Sequence, residues 1–179
     1  VRYRLDRTRG HLQVGSVYRS IGGFVGSGAV ADQVFGVGAV ISGSALVVGR
    51  DTVVFESTLG KGVSRYVKDT SGQGLDAALA DNGRLEAARL GAVLTGYQRV
   101  WTRRLRSTLA VSFVGLGHLS GQPADTYHTS RYLTANLMFK PFPVLTVGVE
   151  LDQGRLSVSD GRHNEATRLQ IAVKYDLVK

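Results

Sequence analysis

Apolar and polar residues alternate one by one along much of this chain. Between Glu165 and Leu177, Leu169, Ile171, Val173, Tyr175 and Leu177 interleave with Arg168, Gln170, Ala172, Lys174 and Asp176. Between Leu145 and Asp152, Leu145, Val147, Val149 and Leu151 interleave with Thr146, Gly148, Glu150 and Asp152. Side chains on a strand point to opposite faces in turn, so each run predicts a strand with one apolar and one polar face. A sandwich strand satisfies this pattern, and so does a barrel strand with lipid outside and water inside. Runs of strand character fall near 1–6, 10–20, 34–46, 51–66, 86–101, 104–117, 131–140, 144–157 and 165–177.

The connections discriminate between the two architectures. Tight turns are expected at Asp6-Arg7-Thr8-Arg9-Gly10, Val48-Gly49-Arg50-Asp51, Trp101-Thr102-Arg103-Arg104 and Lys140-Pro141-Phe142-Pro143. Between them come polar stretches at 20–33, 67–85, 119–130 and 159–164. Short and long connections therefore alternate, as they do in outer-membrane barrels with short periplasmic turns and longer external loops. Several runs reach about 12–16 residues, where soluble strands average ~5–6 and tilted membrane strands need ~9–11. Trp101, Phe139, Phe142 and Tyr175 lie near the tight turns, where an interfacial girdle would place them. Ordinary turn-flanking core would also place aromatics there.

Helical character is sparse. Gly74 to Leu90 could form a turn or two, interrupted by Asn82-Gly83, and Asp76 to Ala80 is expected in an external loop folded inward to narrow a pore. The reading is all-β: an antiparallel transmembrane β-barrel with about nine strands in this chain. An odd count that begins mid-strand at Val1 leaves the last strand without an antiparallel neighbour. Residues 1–179 are therefore expected to be the C-terminal part of a single, larger barrel domain, mature, trimmed or a fragment.

Composition changes the picture only in part. The 23 glycines far outnumber the 3 prolines, and several glycines sit inside strand runs. Mean hydropathy is -0.00, and the most apolar run, 34–48, is broken by glycine and serine and falls short of the ~20 residues of a spanning helix. Cysteine is absent, which excludes disulfides and thiolate metal sites. The net charge of +8 points to anionic partners: nucleic acid, anionic lipid or anionic solutes.

Enzyme signals are weak. Gly36-Val37-Gly38 and Gly26-Ser27-Gly28 lack the third spaced glycine of a dinucleotide loop. His11, His118, His128 and His163 lack ligand spacing, and no nucleophile–base pair stands out, so no cofactor, metal or catalytic residue is assigned. The polar strand faces carry the candidate chemistry. Arg2, Arg4, Arg19, Arg89, Arg99, Arg104, Arg106, Lys140, Arg168 and Lys174 are assigned there, opposed by Glu56, Glu150, Asp152 and Asp176. Arginines lining a narrow aqueous path concentrate anions, and their forks hold carboxylates. Solvated strand faces or bracing ion pairs would use the same residues. Lys61 and Arg65, among Gly60, Gly62 and Ser64, are constriction candidates if a bulge turns either inward.

Four segments carry a family resemblance. Arg9-Gly10-His11-Leu12-Gln13-Val14, Gly60-Lys61-Gly62-Val63-Ser64-Arg65-Tyr66-Val67, Tyr97-Gln98-Arg99-Val100-Trp101-Thr102-Arg103-Arg104-Leu105-Arg106-Ser107 and Thr167-Arg168-Leu169-Gln170-Ile171-Ala172-Val173-Lys174-Tyr175 resemble successive landmarks of DcaP-like outer-membrane porins. The resemblance covers the family's C-terminal portion. It departs at the end, where Leu177-Val178-Lys179 replaces the usual terminal aromatic. It implies a homotrimeric channel of the bacterial outer membrane, in contact with lipid, that passes small anionic solutes such as dicarboxylates. The rival readings are a soluble all-β binding module with a basic ligand pocket and a basic nucleic-acid-binding β-domain. The second would want aromatics on the basic face, and Tyr97 and Tyr132 are few, so no nucleic-acid partner is assigned.

Overall fold

The computed structural model describes residues 1–25 and 29–177. Its main element is one antiparallel sheet in simple meander order: β1 (Arg2–Arg7), β2 (Gly10–Val25), β3 (Ala29–Leu46), β4 (Thr52–Lys61), β7 (Arg89–Val100), β8 (Leu105–Leu116), β9 (Tyr127–Phe142), β10 (Leu145–Val158) and β11 (His163–Tyr175). Two short strands, β5 (Ala77–Leu79) and β6 (Leu85–Ala87), form a separate hairpin within the connection from β4 to β7. β1 and β11 are the two edges of the large sheet. All nine runs expected from alternation are strands, and β2, β3 and β9 reach 16, 18 and 16 residues.

Four expectations are corrected. The polar stretch 20–33 is strand up to Val25 and again from Ala29, because the β2–β3 ladder continues from Ile21↔Val34 to Val25↔Ala29. Gly26-Ser27-Gly28 lies outside the described residues. The β10–β11 connection likewise shrinks, as the ladder runs to Ser157↔His163. The asymmetry between the two ends of the sheet therefore rests on two connections, 62–88 and 117–126. Finally, the run at 51–66 ends as strand at Lys61, and 74–90 is not α-helical. Gly62 takes a left-handed φ of +63°, which turns the chain off the sheet. A 3-10 turn at Ser64–Tyr66 and the β5–β6 hairpin follow.

That excursion folds back over one face of the sheet. Val63, Leu75 and Ala88 bury against Leu90, Val114, Leu116 and Tyr127, with Val17, Ala92 and Leu119 at the margin. The sheet makes room with glycine: a Cβ on Gly38 would lie 2.9 Å from the Val63 side chain, and one on Gly60 would lie 2.7 Å from the Gly38 backbone. Small residues here let the excursion lie flat on β3 and β4. The opposite face is apolar and uncovered. Leu169, Ile171, Val173 and Tyr175 of β11 are 68%, 73%, 67% and 60% exposed there.

Candidate functional site

Register assigns every strand residue to one of two faces. One row crosses all nine strands as Arg4, Gln13, Ser42, Glu56, Leu94, Ser112, Tyr132, Gly154 and Ala166. The adjacent row, on the other face, runs Leu5, Leu12, Gly43, Phe55, Thr95, Val111, Leu133, Gln153 and Thr167. The first face is polar and carries the covering segment 62–88. The second is an apolar band bordered at the tight-turn end by Phe139, Phe142, Leu145 and Tyr175, with exposed Trp101 in the neighbouring turn.

On the polar face of β9–β11 the side chains form one connected network. Asp152 accepts from Thr134 at 2.7 Å and from Arg168 Nε and Nη2 at 2.9 and 2.6 Å. Arg168 also lies 4.0 Å from Glu150, which accepts from Asn136 at 3.2 Å. Cross-strand pairing puts these groups opposite one another, Asp152 facing both Thr134 and Arg168. A carboxylate held by a guanidinium and a hydroxyl in this geometry is braced and ionised, and Arg168 is largely neutralised by it.

A second polar cluster fastens the covering segment. Asp76 accepts from Arg19 Nη1 at 2.7 Å, from Ser64 Oγ at 2.8 Å and from the Arg65 amide at 3.1 Å. Burial pushes the Asp76 carboxyl up, but these three donors outweigh it and hold the group below the usual carboxylate range. Ser130 Oγ donates to Asp69 at 2.5 Å and accepts from Tyr127 at 2.7 Å, tying the same segment to β9. Between the segment and β1–β4 a cavity of about 240 Å³ remains, lined among others by Arg2, Gln13, Glu56, Thr58, Val63 and Tyr66.

The basic residues expected on the water-facing side divide accordingly. Arg2 and Arg4 stand on the polar face, Arg2 donating to Gln13 and Arg4 paired with Asp6 at 2.9 Å. Arg106, opposite Met138, and Lys174, opposite Thr146, are there too; Lys174 pairs with Asp176 at 3.0 Å. Arg19 and Arg168 join them in the two clusters. Among the described residues Arg2 and Arg106 have no acidic side chain in ion-pair contact. Arg89 and Arg99 correct the sequence reading. Register sets Arg99 with Ser107 and Arg89 with Lys61, in line with Tyr97, Thr95, Val93 and Gly91, on the apolar face. Leu90, Ala92 and Leu94 are the cause: they mimic an outward apolar series but share the polar face, where Leu90 and Ala92 pack toward the covering segment. Arg99 lies over the Trp101 ring at 4.4 Å.

Lys61 ends β4 on the apolar face, so no bulge turns it inward. Arg65 is exposed in the 3-10 turn and contacts Asp76 through its backbone alone. Arg104 sits in the tight turn, its amide donating to Thr102 Oγ1 at 3.1 Å. Sequence reasoning missed Asp76 and Asp69, the two carboxylates that fasten the covering segment. Their only signal was an acidic residue among serines, threonines and glycines in a stretch too apolar at Leu75, Ala77 and Ala78 to be a free loop.

No protein-family model matches the chain, and no curated protein matches it. Among solved structures, the chain is similar to the outer membrane channel DcaP of Acinetobacter baumannii, at 18% identity and a TM-score of 0.80. The match covers 93% of this chain and 47% of that one, so this chain spans about half the length of the neighbour. The likeness shows the fold: nine antiparallel strands arranged as in a porin-type β-barrel.

Proposed function

We propose that this chain is part of the wall of a bacterial outer-membrane porin through which small anionic solutes, dicarboxylates among them, diffuse passively. In this reading the apolar band faces lipid and the polar face lines the aqueous path. The observation that carries it is the pairing of a long, uncovered apolar face with a hydrogen-bonded, charged opposite face. A soluble domain would not leave such a contiguous apolar surface to water. The structural neighbour's being an outer-membrane channel supports the same reading. The edges β1 and β11 carry backbone groups that lipid cannot satisfy. Further strands of a larger barrel close on them, and the assembly is a homotrimer.

Diffusion needs no covalent step. Selectivity comes from the field of cations that lack a local counter-charge, and here Arg2 and Arg106 do the most; Lys174, paired with Asp176, adds less. Arg168 braces the wall. In planar bilayers under a salt gradient, the full-length protein should give a reversal potential displaced toward anion preference. The preference should weaken with salt, because the Debye length falls from ~10 Å at 0.1 M to ~3 Å at 1 M. Replacing Arg2, Arg106 and Lys174 together by Gln should reduce it, whereas Arg89→Gln with Arg99→Gln should leave it intact. An unchanged reversal potential in the triple variant would remove the proposed mechanism.

A further inference from the structure

The apolar face carries a charge pattern that a purely lipid-tail surface would not tolerate. Lys61 of β4 lies directly opposite Arg89 of β7, and Arg131 of β9 lies directly opposite Arg155 of β10. Like charges facing each other across a ladder repel and destabilise a sheet. Both pairs sit on the same face and toward the same end of the sheet, the end carrying the connections 62–88 and 117–126. All four side chains are exposed. The other end of this face is bordered by aromatics and holds Arg99, stacked on Trp101.

Local compensation is incomplete. Glu165 lies 3.4 Å from Arg155 and neutralises one charge of the second pair. Arg131 stands over the Phe113 ring at 5.6 Å. Lys61 and Arg89 have no acidic partner among the described residues. A recess of about 210 Å³, lined by Arg131, Leu133, Gln153, Arg155 and Glu165, adjoins the second pair. Two facing cations above an apolar band need an anion that brings its own apolar body, which describes a phosphorylated lipid: headgroup on the bases, acyl chains on the band below.

We infer that Lys61–Arg89 and Arg131–Arg155 are docking points for the phosphate groups of anionic lipid at the loop-side rim of the barrel. The inference rests on the reading that this face meets lipid. Arg131 and Arg89 offer guanidinium forks suited to phosphate oxygens, and Lys61 adds a point charge. The bound anion removes the repulsion that the bare sheet carries.

The test uses the full-length protein in neutral detergent, titrated with lipid A, with dephosphorylated lipid A and with inorganic phosphate, bound ligand being counted by native mass spectrometry. Lipid A should bind at least about tenfold more tightly than either of the others. Replacing Lys61, Arg89, Arg131 and Arg155 by Gln should abolish that advantage. Replacing Arg7, Arg9, Arg50 and Arg103 at the turn end by Gln should preserve it. The rim variant should also unfold at a higher temperature than the parent without lipid and at a lower one with lipid A, an inversion that a merely structural role would not produce. Equal lipid A binding by parent and rim variant, or equal affinity for the dephosphorylated lipid or for inorganic phosphate, would overturn the inference. A protein that stays folded and soluble with no detergent would instead overturn the membrane reading beneath it.

Discussion

The panel β9–β11 and the panel β3–β8 are made of the same kind of strand but use their polar faces differently. In β9–β11 the polar face is open except at the start of β9, where Tyr127 and Ser130 meet the segment 62–88, and its groups satisfy one another across strands: Thr134, Asp152, Arg168, Glu150 and Asn136 form a single chain of contacts. In β3–β8 the part of the same face that lies under the segment 62–88 is glycine or aliphatic, at Gly38, Gly60, Leu90, Val114 and Leu116, and Val63, Leu75 and Ala88 cover it. Alternation reports which side faces lipid only where the other side faces water. Once a second layer docks inside, both faces of a strand are apolar at some positions and the period loses its meaning.

The largest effect should come from forcing a charge into the apolar band of the open panel. Ile171→Arg should destabilise the assembled barrel by about 2–4 kcal/mol if the site lies near the bilayer midplane. Gln170→Arg, one residue away and opposite Glu150, should be tolerated. Unfolding in lipid vesicles by denaturant titration measures both. Equal penalties at the two positions would erase the difference between the faces.

A smaller, local effect is expected in the covered panel. Asp76→Asn keeps the shape but weakens the contacts to Arg19, Ser64 and the Arg65 amide, a loss of about 1.5–3 kcal/mol for hydrogen bonds to a charged group. It should loosen the segment 62–88 and leave the sheet intact, read as faster amide exchange at 63–88 alone. Because folding lowers the Asp76 pKa, its contribution is complete above the unfolded carboxylate value of about 4 and is lost as pH falls through the lower folded value. Protection in the parent, relative to the intrinsic exchange rate at each pH, should therefore fall selectively at 63–88 in acid, and in the variant it should lose that pH dependence. Global rather than local exchange would mean that the segment and the sheet form one unit.

Strict alternation made the two strands of the β10–β11 hairpin legible from the sequence and put Asp152 and Arg168 on its polar face; their direct opposition came only with the register. The same rule misplaced Arg89 and Arg99, because Leu90 and Ala92 are apolar for a partner that lies nearly thirty positions upstream at Val63 and is joined to them only in three dimensions. The hairpin β5–β6 escaped notice for a related reason. Its alanines and leucines favour helix locally, and Asn82-Gly83 gives the turn that lets them pair instead. Asp76 could not be assigned a role without knowing that Arg19, far away in sequence, stands beneath it.

The central claim is that one face of this sheet meets lipid and the other water. Single cysteines introduced along residues 168–174 in the full-length protein, each labelled with a polarity-sensitive fluorophore and reconstituted in vesicles, test it most directly. A two-residue alternation is expected. Labels at 169, 171 and 173 should be quenched by a lipid-borne quencher, and labels at 168, 170, 172 and 174 by aqueous iodide. Uniform aqueous quenching at all seven positions would contradict it.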